Sequence, residues 1–449
     1  METQNNNKNN IKSVIRESWA MGWPMTLIMF FTFLIGMTDV YVAGRFGKEV
    51  QAAYGLAFQL YFIFIIIGIA LSVGSVSVIS RLFTSENKDE FVLAVNSSLI
   101  TAGVTGFFFT VLGIIFSPHI INALNIPPTI KGYASVFLTI YSLGFVFDYI
   151  LMNTNGILRA CEMIKRSLIS MSIVCVVNII LDFTLALHTP LGFRGIAIAT
   201  VVSLCIGMIF NIAYMRKVCK LALKCTFSIV KKIIEISWPS GVLQVVWQLG
   251  VMAIFLIINV LPKYNIEVMA AFTNGLRIES AIFLPAFAFN MANAVLVGNL
   301  LGKKKDEEAV HIGAITAFLG VGVIFLMVIV VFLNVKHIAG FLSNNTMVIE
   351  ESIKYIYISL IAEPIMAWSL ILGGGLNGAG DTKSVMFIVA LTLWLIRIPL
   401  AFILGISFGF GAIGIWWAMN ISIVFQALFM SIRYFRKKWL VSAEEVIKV

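Results

Sequence analysis

Long apolar runs separated by short polar segments make up most of the chain. Each run has about 20 residues or more, which is enough for a helix to cross the ~30 Å hydrocarbon core of a bilayer. The ~10-residue alternation that is typical of outer-membrane barrel strands is absent. The pattern predicts an all-α polytopic membrane protein with twelve transmembrane helices. The runs cover residues 17–44, 52–80, 91–116, 133–155, 167–187, 193–215, 238–261, 268–299, 310–334, 351–375, 386–407 and 411–432.

Composition agrees with the pattern. The 449 residues are 60% hydrophobic and 12% charged, whereas globular domains have about 45–50% apolar and roughly 25% charged residues. A soluble enzyme, a disordered chain and a secreted disulfide scaffold are therefore excluded as classes.

The basic residues indicate the topology. Most Lys and Arg lie in the N-terminal tail, in every second loop, in a central linker and at the C-terminal end, and the formal net charge is +10. Because Lys and Arg favour cytoplasmic segments, both termini and the linker are expected in the cytoplasm, with the chain in the cell membrane. The charge is thus explained without a nucleic-acid partner.

The chain also repeats itself. Ser18-Trp19 returns 219 residues later as Ser237-Trp238, and Gly195-Ile196 is answered by Ala412-Ile413 at a similar offset. The repeat predicts two homologous six-helix lobes in the same orientation, a parallel repeat, whose alternating access favours a transporter. The predicted segments are a tail (1–16), an N-lobe with helices 1–6 (17–215), a linker (216–237), a C-lobe with helices 7–12 (238–433) and a tail (434–449).

Ionisable groups at membrane depth are costly, so each one suggests a function. Asp39 on helix 1 and Asp182 on helix 5 are expected at similar depth in the N-lobe. Asn178 shares the helical face of Asp182, and Thr200 on helix 6 lies at that depth. These oxygens suit a monovalent cation such as Na⁺, and two buried carboxylates can also share protons. Pro24, about four turns before Asp39, predicts a hinge or a static kink in helix 1.

A second group of polar residues is expected in the cleft or in the C-lobe. Glu363 and Arg397 lie near the middle of helices 10 and 11 and are predicted to neutralise each other, whereas Asp148 has no obvious partner. The candidates in this group are Asp148, Gln244, Arg277, Glu279, Glu363 and Arg397.

Two short matches to enzyme motifs occur in the chain, but neither has the surrounding sequence that the motif requires. The glycines of 373–378 match GxGxxG, but no strand precedes them and they end an apolar helix. Residues 378–381 resemble the GxGD of intramembrane aspartyl proteases, which also need a Tyr-Asp pair that this chain lacks. The sequence therefore predicts no enzyme and no cofactor other than a coupling ion.

Several motifs resemble those of multidrug and toxic compound extrusion (MATE) transporters. They are Asn377–Lys383, Gly156–Ala160, Asn178–Asp182, Met37–Asp39 and Gly275–Glu279 followed by Pro285. The resemblance covers essentially the whole chain, and it is closest to the DinF-like and archaeal branch.

The resemblance implies a V-shaped bundle that exports organic cations in exchange for H⁺ or Na⁺. It carries the coupling role onto Asp39, Asn178, Asp182 and Thr200, and the role of a bending proline onto Pro24. The NorM-like branch uses a glutamate on helix 7, where this chain offers Gln244 and Gln248, so a sodium site of that kind is not expected.

Two functions remain open. The first is a secondary active efflux antiporter for amphipathic, often cationic small molecules, acting in membrane lipid as a monomer. The alternative is a lipid-linked oligosaccharide flippase of the same superfamily. A flippase would need several basic residues for the pyrophosphate, and only Arg277 and Arg397 qualify.

Overall fold

The computed structural model describes residues 2–85, 87–222, 224–343 and 345–440. This part of the chain is helical and contains no β-strand. Twelve of its helices are long and apolar enough to cross a membrane. The prediction of an all-α polytopic protein with twelve spans is confirmed.

The helices are joined by short connections. In the first half they are α1 (Glu2–Gly44), α2 (Lys48–Thr84), α3 (Lys88–Ala123), α4 (Pro128–Ala160), α5 (Ile164–Ala186) and α6 (Arg194–Val218). In the second half they are α7 (Phe227–Asn259), α8 (Asn265–Gly302), α9 (Asp306–Leu342), α10 (Thr346–Gly378), α11 (Thr382–Ser407) and α12 (Gly411–Phe435).

Several helices extend beyond the apolar runs. α1 already includes Glu2, inside the predicted tail, and α7 begins at Phe227, inside the segment 216–237 that is predicted as a linker. The reason is that polarity marks where a span leaves the bilayer, whereas a helix ends only where its backbone meets a cap or a breaking residue. The connection between α6 and α7 is correspondingly short.

The contacts divide the helices into two compact units. The N-unit is Leu27–Gly241, and the C-unit is the described residues up to Thr26 together with those from Val242 onward. Each boundary therefore lies within a helix, in α1 and in α7, three residues after a proline (Pro24 and Pro239). The lobe boundaries inferred from the apolar runs lie elsewhere, at the ends of the predicted spans.

Each unit is built around one central helix. In the N-unit α4 packs against α2, α3 and α6, and in the C-unit α10 packs against α8, α9 and α12. Tyr and Phe rings from α2 and α4 fill much of the N-unit core. The outer faces carry large exposed apolar side chains, such as Phe325, Leu333 and Phe387, as lipid-facing helices do.

The internal repeat is visible in backbone packing. A Cβ atom added to Gly195 would lie 2.6 Å from the backbone carbon of Leu185, and one added to Gly414 would lie 2.7 Å from that of Leu404. Gly414 lies 219 residues after Gly195, and Leu404 lies 219 residues after Leu185. The close approach of α6 to the end of α5 therefore recurs between α12 and the end of α11.

Candidate functional site

Asp39 is the centre of a buried polar cluster in the N-unit. Its side chain is 3% exposed, and its Oδ2 atom accepts hydrogen bonds from the Tyr54 hydroxyl at 3.2 Å and from the Thr200 hydroxyl at 3.5 Å. The Asn178 amide nitrogen donates to the Thr200 oxygen at 3.4 Å. The carboxyl groups of Asp182 and Asp39 are close enough to interact electrostatically, but no hydrogen bond joins them.

The structure therefore brings together the four residues that the sequence singles out: Asp39, Asn178, Asp182 and Thr200. We call them the Asp39 cluster. They come from three helices, α1, α5 and α6. Asp182 and Asn178 are completely buried, and no basic side chain contacts the two acids in the described residues. A role in coupling stays a prediction.

Four oxygen atoms of this cluster are buried without a hydrogen-bond partner. They are Asp39 Oδ1, Asn178 Oδ1 and both carboxylate oxygens of Asp182. Buried polar atoms are normally paired, because an unpaired one costs roughly 1–3 kcal/mol and a charged one more. The atoms available to bind a cation are all oxygens, which suits a proton or a hard monovalent cation such as Na⁺.

Backbone geometry places Asp182. The regular α-helix of α5 ends at Leu181, and residues Asp182–Ala186 form a π-helical turn. Such turns are rare and are found frequently at functional sites. The same turn contains Leu185, whose backbone is closely approached by Gly195 of α6.

Tyr54 and Tyr141 belong to the surroundings of this cluster, although sequence reasoning missed them. Tyr54 donates to Asp39, and the two rings lie 6.4 Å apart, edge to face. A signal was present in the repeat, since Tyr54 corresponds to Phe272 in the second half. The hydroxyl occurs only in the repeat that also contains Asp39.

Asp148 on α4 has a partner that the sequence did not indicate. The Tyr61 hydroxyl of α2 donates to its Oδ2 atom at 2.7 Å. The Tyr61 ring stacks on Phe145 and lies 5.3 Å from Tyr141. Asp148 is thus a separate buried acid, not a member of the Asp39 cluster.

Pro24 lies inside α1, as predicted. The proline leaves the Ala20 carbonyl, four residues earlier, without its helical amide donor. Close by, the Thr26 hydroxyl donates to the Gly22 carbonyl at 3.0 Å. The proline is three residues from the unit boundary, so a bend here would act where α1 passes from one unit to the other.

In the C-unit, Glu279, Glu363 and Arg397 line one small cavity. Its volume is about 40 Å³, and since a water needs at least ~10–15 Å³, about three waters would fit. Tyr355 donates to Glu279, and Ser422 accepts from the Arg397 Nε atom at 2.8 Å. We call this space the Arg397 cavity.

The predicted neutralisation of Glu363 by Arg397 is not what the geometry shows. Arg397 interacts electrostatically with Glu279 and lies 5.3 Å from the centre of the Trp247 ring. The Oε2 atom of Glu363 is buried without a partner. Arg397 ends a π-helical stretch, Thr392–Arg397 in α11, whose wider turn changes the direction of its side chain relative to a regular α-helix. This change cannot be inferred from residue spacing.

Two other candidates stay outside this cavity. Arg277 is exposed, because two residues along a helix correspond to nearly opposite faces and Glu279 points inward. Gln244 of α7 is partly exposed and does not line the cavity.

Comparison with known proteins agrees with the duplicated architecture. The family model described as MatE matches residues 24–184 and 239–403, one segment in each half of the chain. The chain is 24% identical over 418 residues to the probable multidrug resistance protein NorM of Thermotoga maritima, covering 90% of this chain and 89% of that protein. It is 23% identical to the uncharacterized transporter YisQ of Bacillus subtilis, with 89% of each covered.

A solved structure shows the same fold. The bent form of the Vibrio cholerae MATE transporter VcmN has a TM-score of 0.90 with this chain at 18% identity, covering 98% of this chain and 99% of that one. The family model matches both halves, and the relatives are of nearly equal length. The resemblance to MATE transporters is therefore confirmed at the level of the family: the chain is a multi-pass membrane protein that belongs to the MatE family of transporters, not to a class of enzymes.

Proposed function

We propose that this transporter is a secondary active multidrug exporter, which moves amphipathic, often cationic organic compounds out of the cell in exchange for H⁺ or Na⁺. The observation that carries the proposal is the set of four unpartnered buried oxygens around Asp39. Such a set is stable when a cation or proton neutralises it, and it becomes costly when that cation leaves. Binding and release of one small cation therefore have a large energetic consequence.

The placement of the cluster supports exchange. Asp39 is on α1, whereas Asp182 is on α5, so a cation bound by both carboxylates would hold the two helices together. Losing the cation leaves two like charges that interact at short range, and their repulsion favours separation of the helices. A ligand shifts a conformational equilibrium only through its different affinity for the two states. The cluster supplies such a difference, and Pro24 supplies a place where α1 can bend.

The DinF-like branch, the cell membrane location and the cytoplasmic side of both termini are parts of the same proposal. The orientation is supported by the distribution of Lys and Arg. We also propose that the transporter acts as a monomer, since the Asp39 cluster is contributed by one chain.

The flippase alternative receives less support. Of its two candidate basic residues, Arg277 is exposed and Arg397 already interacts with Glu279. A pyrophosphate would therefore find no cluster of available guanidinium groups in the Arg397 cavity.

The test is dye efflux from proteoliposomes that contain the purified protein, driven by an imposed pH gradient or an imposed Na⁺ gradient. Asp39→Asn should abolish gradient-driven efflux of a cationic dye, because one of the two acids loses its charge. Asp89→Asn, a change at an exposed position on α3, is the matched control and should leave it unchanged. Efflux that survives Asp39→Asn would move coupling elsewhere, and movement of no cationic dye would refute drug export.

A further inference from the structure

Among its described residues the C-unit has no copy of the Asp39 cluster, although the helices that would carry it are present. With the 219-residue offset of the glycine contacts, the positions equivalent to Asp39 and Asp182 are Ile258 and Ala401, both fully buried. The position equivalent to Asn178 is Arg397. Where the N-unit has a neutral amide beside two acids, the C-unit therefore has a guanidinium beside apolar residues.

Two acids nevertheless reach this region from the other helices of the C-unit. Glu279 comes from α8, 218 residues after Tyr61, the same separation as between Tyr54 and Phe272, and Glu363 comes from α10. They interact electrostatically with each other, as Asp39 and Asp182 do. With the Tyr355 hydroxyl and the nearby Ser359, the cavity has the oxygen donors of a monovalent-cation site.

The guanidinium of Arg397 already occupies this cavity as a fixed positive charge. It is 5% exposed and is held by two contacts, the Nε bond to Ser422 and the stacking over Trp247. No ion pair of 4 Å or less joins it to either acid within the described ranges, so it balances the acids electrostatically rather than covering their oxygens. The charged and titratable groups of the cavity are Glu279, Tyr355, Glu363 and Arg397.

We propose that Arg397 is a tethered cation that excludes Na⁺ from the acid pair Glu279 and Glu363. One guanidinium compensates one of the two carboxylates, and a mobile metal cation in the same small cavity would be repelled by it at short range. The unpartnered Oε2 atom of Glu363 can still bind a proton, which neutralises the second carboxylate without adding a metal ion. Cation exchange is thereby confined to the N-unit. The inference rests on the proposed function in taking the Asp39 cluster as the site of exchange.

The test measures binding of radioactive sodium to purified full-length protein in which the Asp39 cluster is silenced by Asp39→Asn and Asp182→Asn. This background should bind no sodium, whereas adding Arg397→Gln should create a sodium site. Adding Glu363→Gln on top should remove the site again. Arg397→Lys, which keeps the charge, is the matched control and should create none.

Two results would overturn the inference. The first is a folded Arg397→Gln protein, monodisperse and with a sharp melting transition, that gains no sodium binding. The second needs no change at Arg397: a sodium-dependent rise in melting temperature of the silenced background that Glu363→Gln abolishes. If Arg397→Gln does not fold, Arg397→Met keeps the stem over Trp247, and the second measurement still decides.

Failure of the proposed function is recognised separately. Dye efflux that Asp39→Asn leaves unchanged would refute coupling at the Asp39 cluster, whereas the sodium measurements report on the Arg397 cavity alone. A transporter coupled only to protons would bind no sodium in the wild type but would still gain a site with Arg397→Gln.

Discussion

The hydrogen bond from Tyr54 to Asp39 offers a quantitative test of the cluster. Tyr54→Phe removes only the hydroxyl, and the equivalent position in the second repeat, Phe272, is a buried phenylalanine, so the ring should be accommodated. The hydroxyl stabilises the carboxylate when no cation is bound. Without it, the coupling cation is expected to bind more tightly.

The magnitude follows from the geometry. A hydrogen bond to a charged group contributes about 1.5–3 kcal/mol, and the 3.2 Å separation of the two oxygens indicates the lower end of that range. About 1.5 kcal/mol corresponds to roughly a tenfold change in an equilibrium constant. The concentration of H⁺ or Na⁺ that half-saturates the protein should therefore fall by about tenfold.

The assay is cation-dependent dye efflux, with the half-saturating cation concentration measured for wild type and variant. Tyr133→Phe is the matched control, because this residue lies on α4 with its ring edge-on against Phe193, and it should not alter the affinity. An unchanged or weaker cation affinity in a Tyr54→Phe protein with normal thermal stability would refute the assignment of this hydroxyl to the cation-free carboxylate.

Three further predictions concern other parts of the structure. Thr200→Val removes an oxygen ligand, so Na⁺ affinity should fall about tenfold if Na⁺ is the coupling ion, for a lost bond of about 1.4 kcal/mol; proton-driven efflux should persist if it is H⁺. Pro24→Ala should preserve cation binding but slow efflux, which stopped-flow fluorescence would show; equal rates would exclude a hinge at this proline. Gly374→Ala places a Cβ atom 2.1 Å from the Asn290 carbonyl oxygen, and this overpacking should cost about 1–3 kcal/mol or more and lower the melting temperature. Gly55→Ala, where the added Cβ atom meets open space, is the control and should not lower it. Similar melting temperatures for the two variants would contradict this close approach of α8 and α10.

The sequence predicts the fold well because the bilayer imposes a simple rule on it. A helix of about 20 apolar residues is one of few ways to satisfy the backbone in lipid, so the spans can be read directly. The helix ends cannot, because α7 continues as a regular helix through polar residues such as Lys231 and Lys232. The division at Thr26 and Gly241 is also invisible to hydropathy, since it depends on which neighbours a continuous helix contacts.

The candidate site also has a part that the sequence predicts and a part that it does not. Asp39, Asn178 and Asp182 could be placed together because depth and helical face follow from regular geometry. The partners of Asp148 and Arg397 could not be predicted. Tyr61 is an ordinary aromatic residue in an apolar helix, and the π-helical stretch that ends at Arg397 alters the helical register. Sequence patterns assume regular helices, and irregular turns lie beside both sites.

The division of α1 and α7 between the units constrains how the chain can fold during synthesis. The N-unit includes the first part of α7, where Gly74 of α2 meets the Ile233 carbonyl and the Ser237 side chain. This unit therefore cannot be completed when α6 emerges from the ribosome and must wait for residue 241. The C-unit needs the first part of α1, whose Ser18 hydroxyl lies 2.8 Å from that of Thr316. The first part of α1 thus stays without this neighbour until α9 has been translated. Polypeptides cut between α6 and α7 would each lack a segment that their core requires.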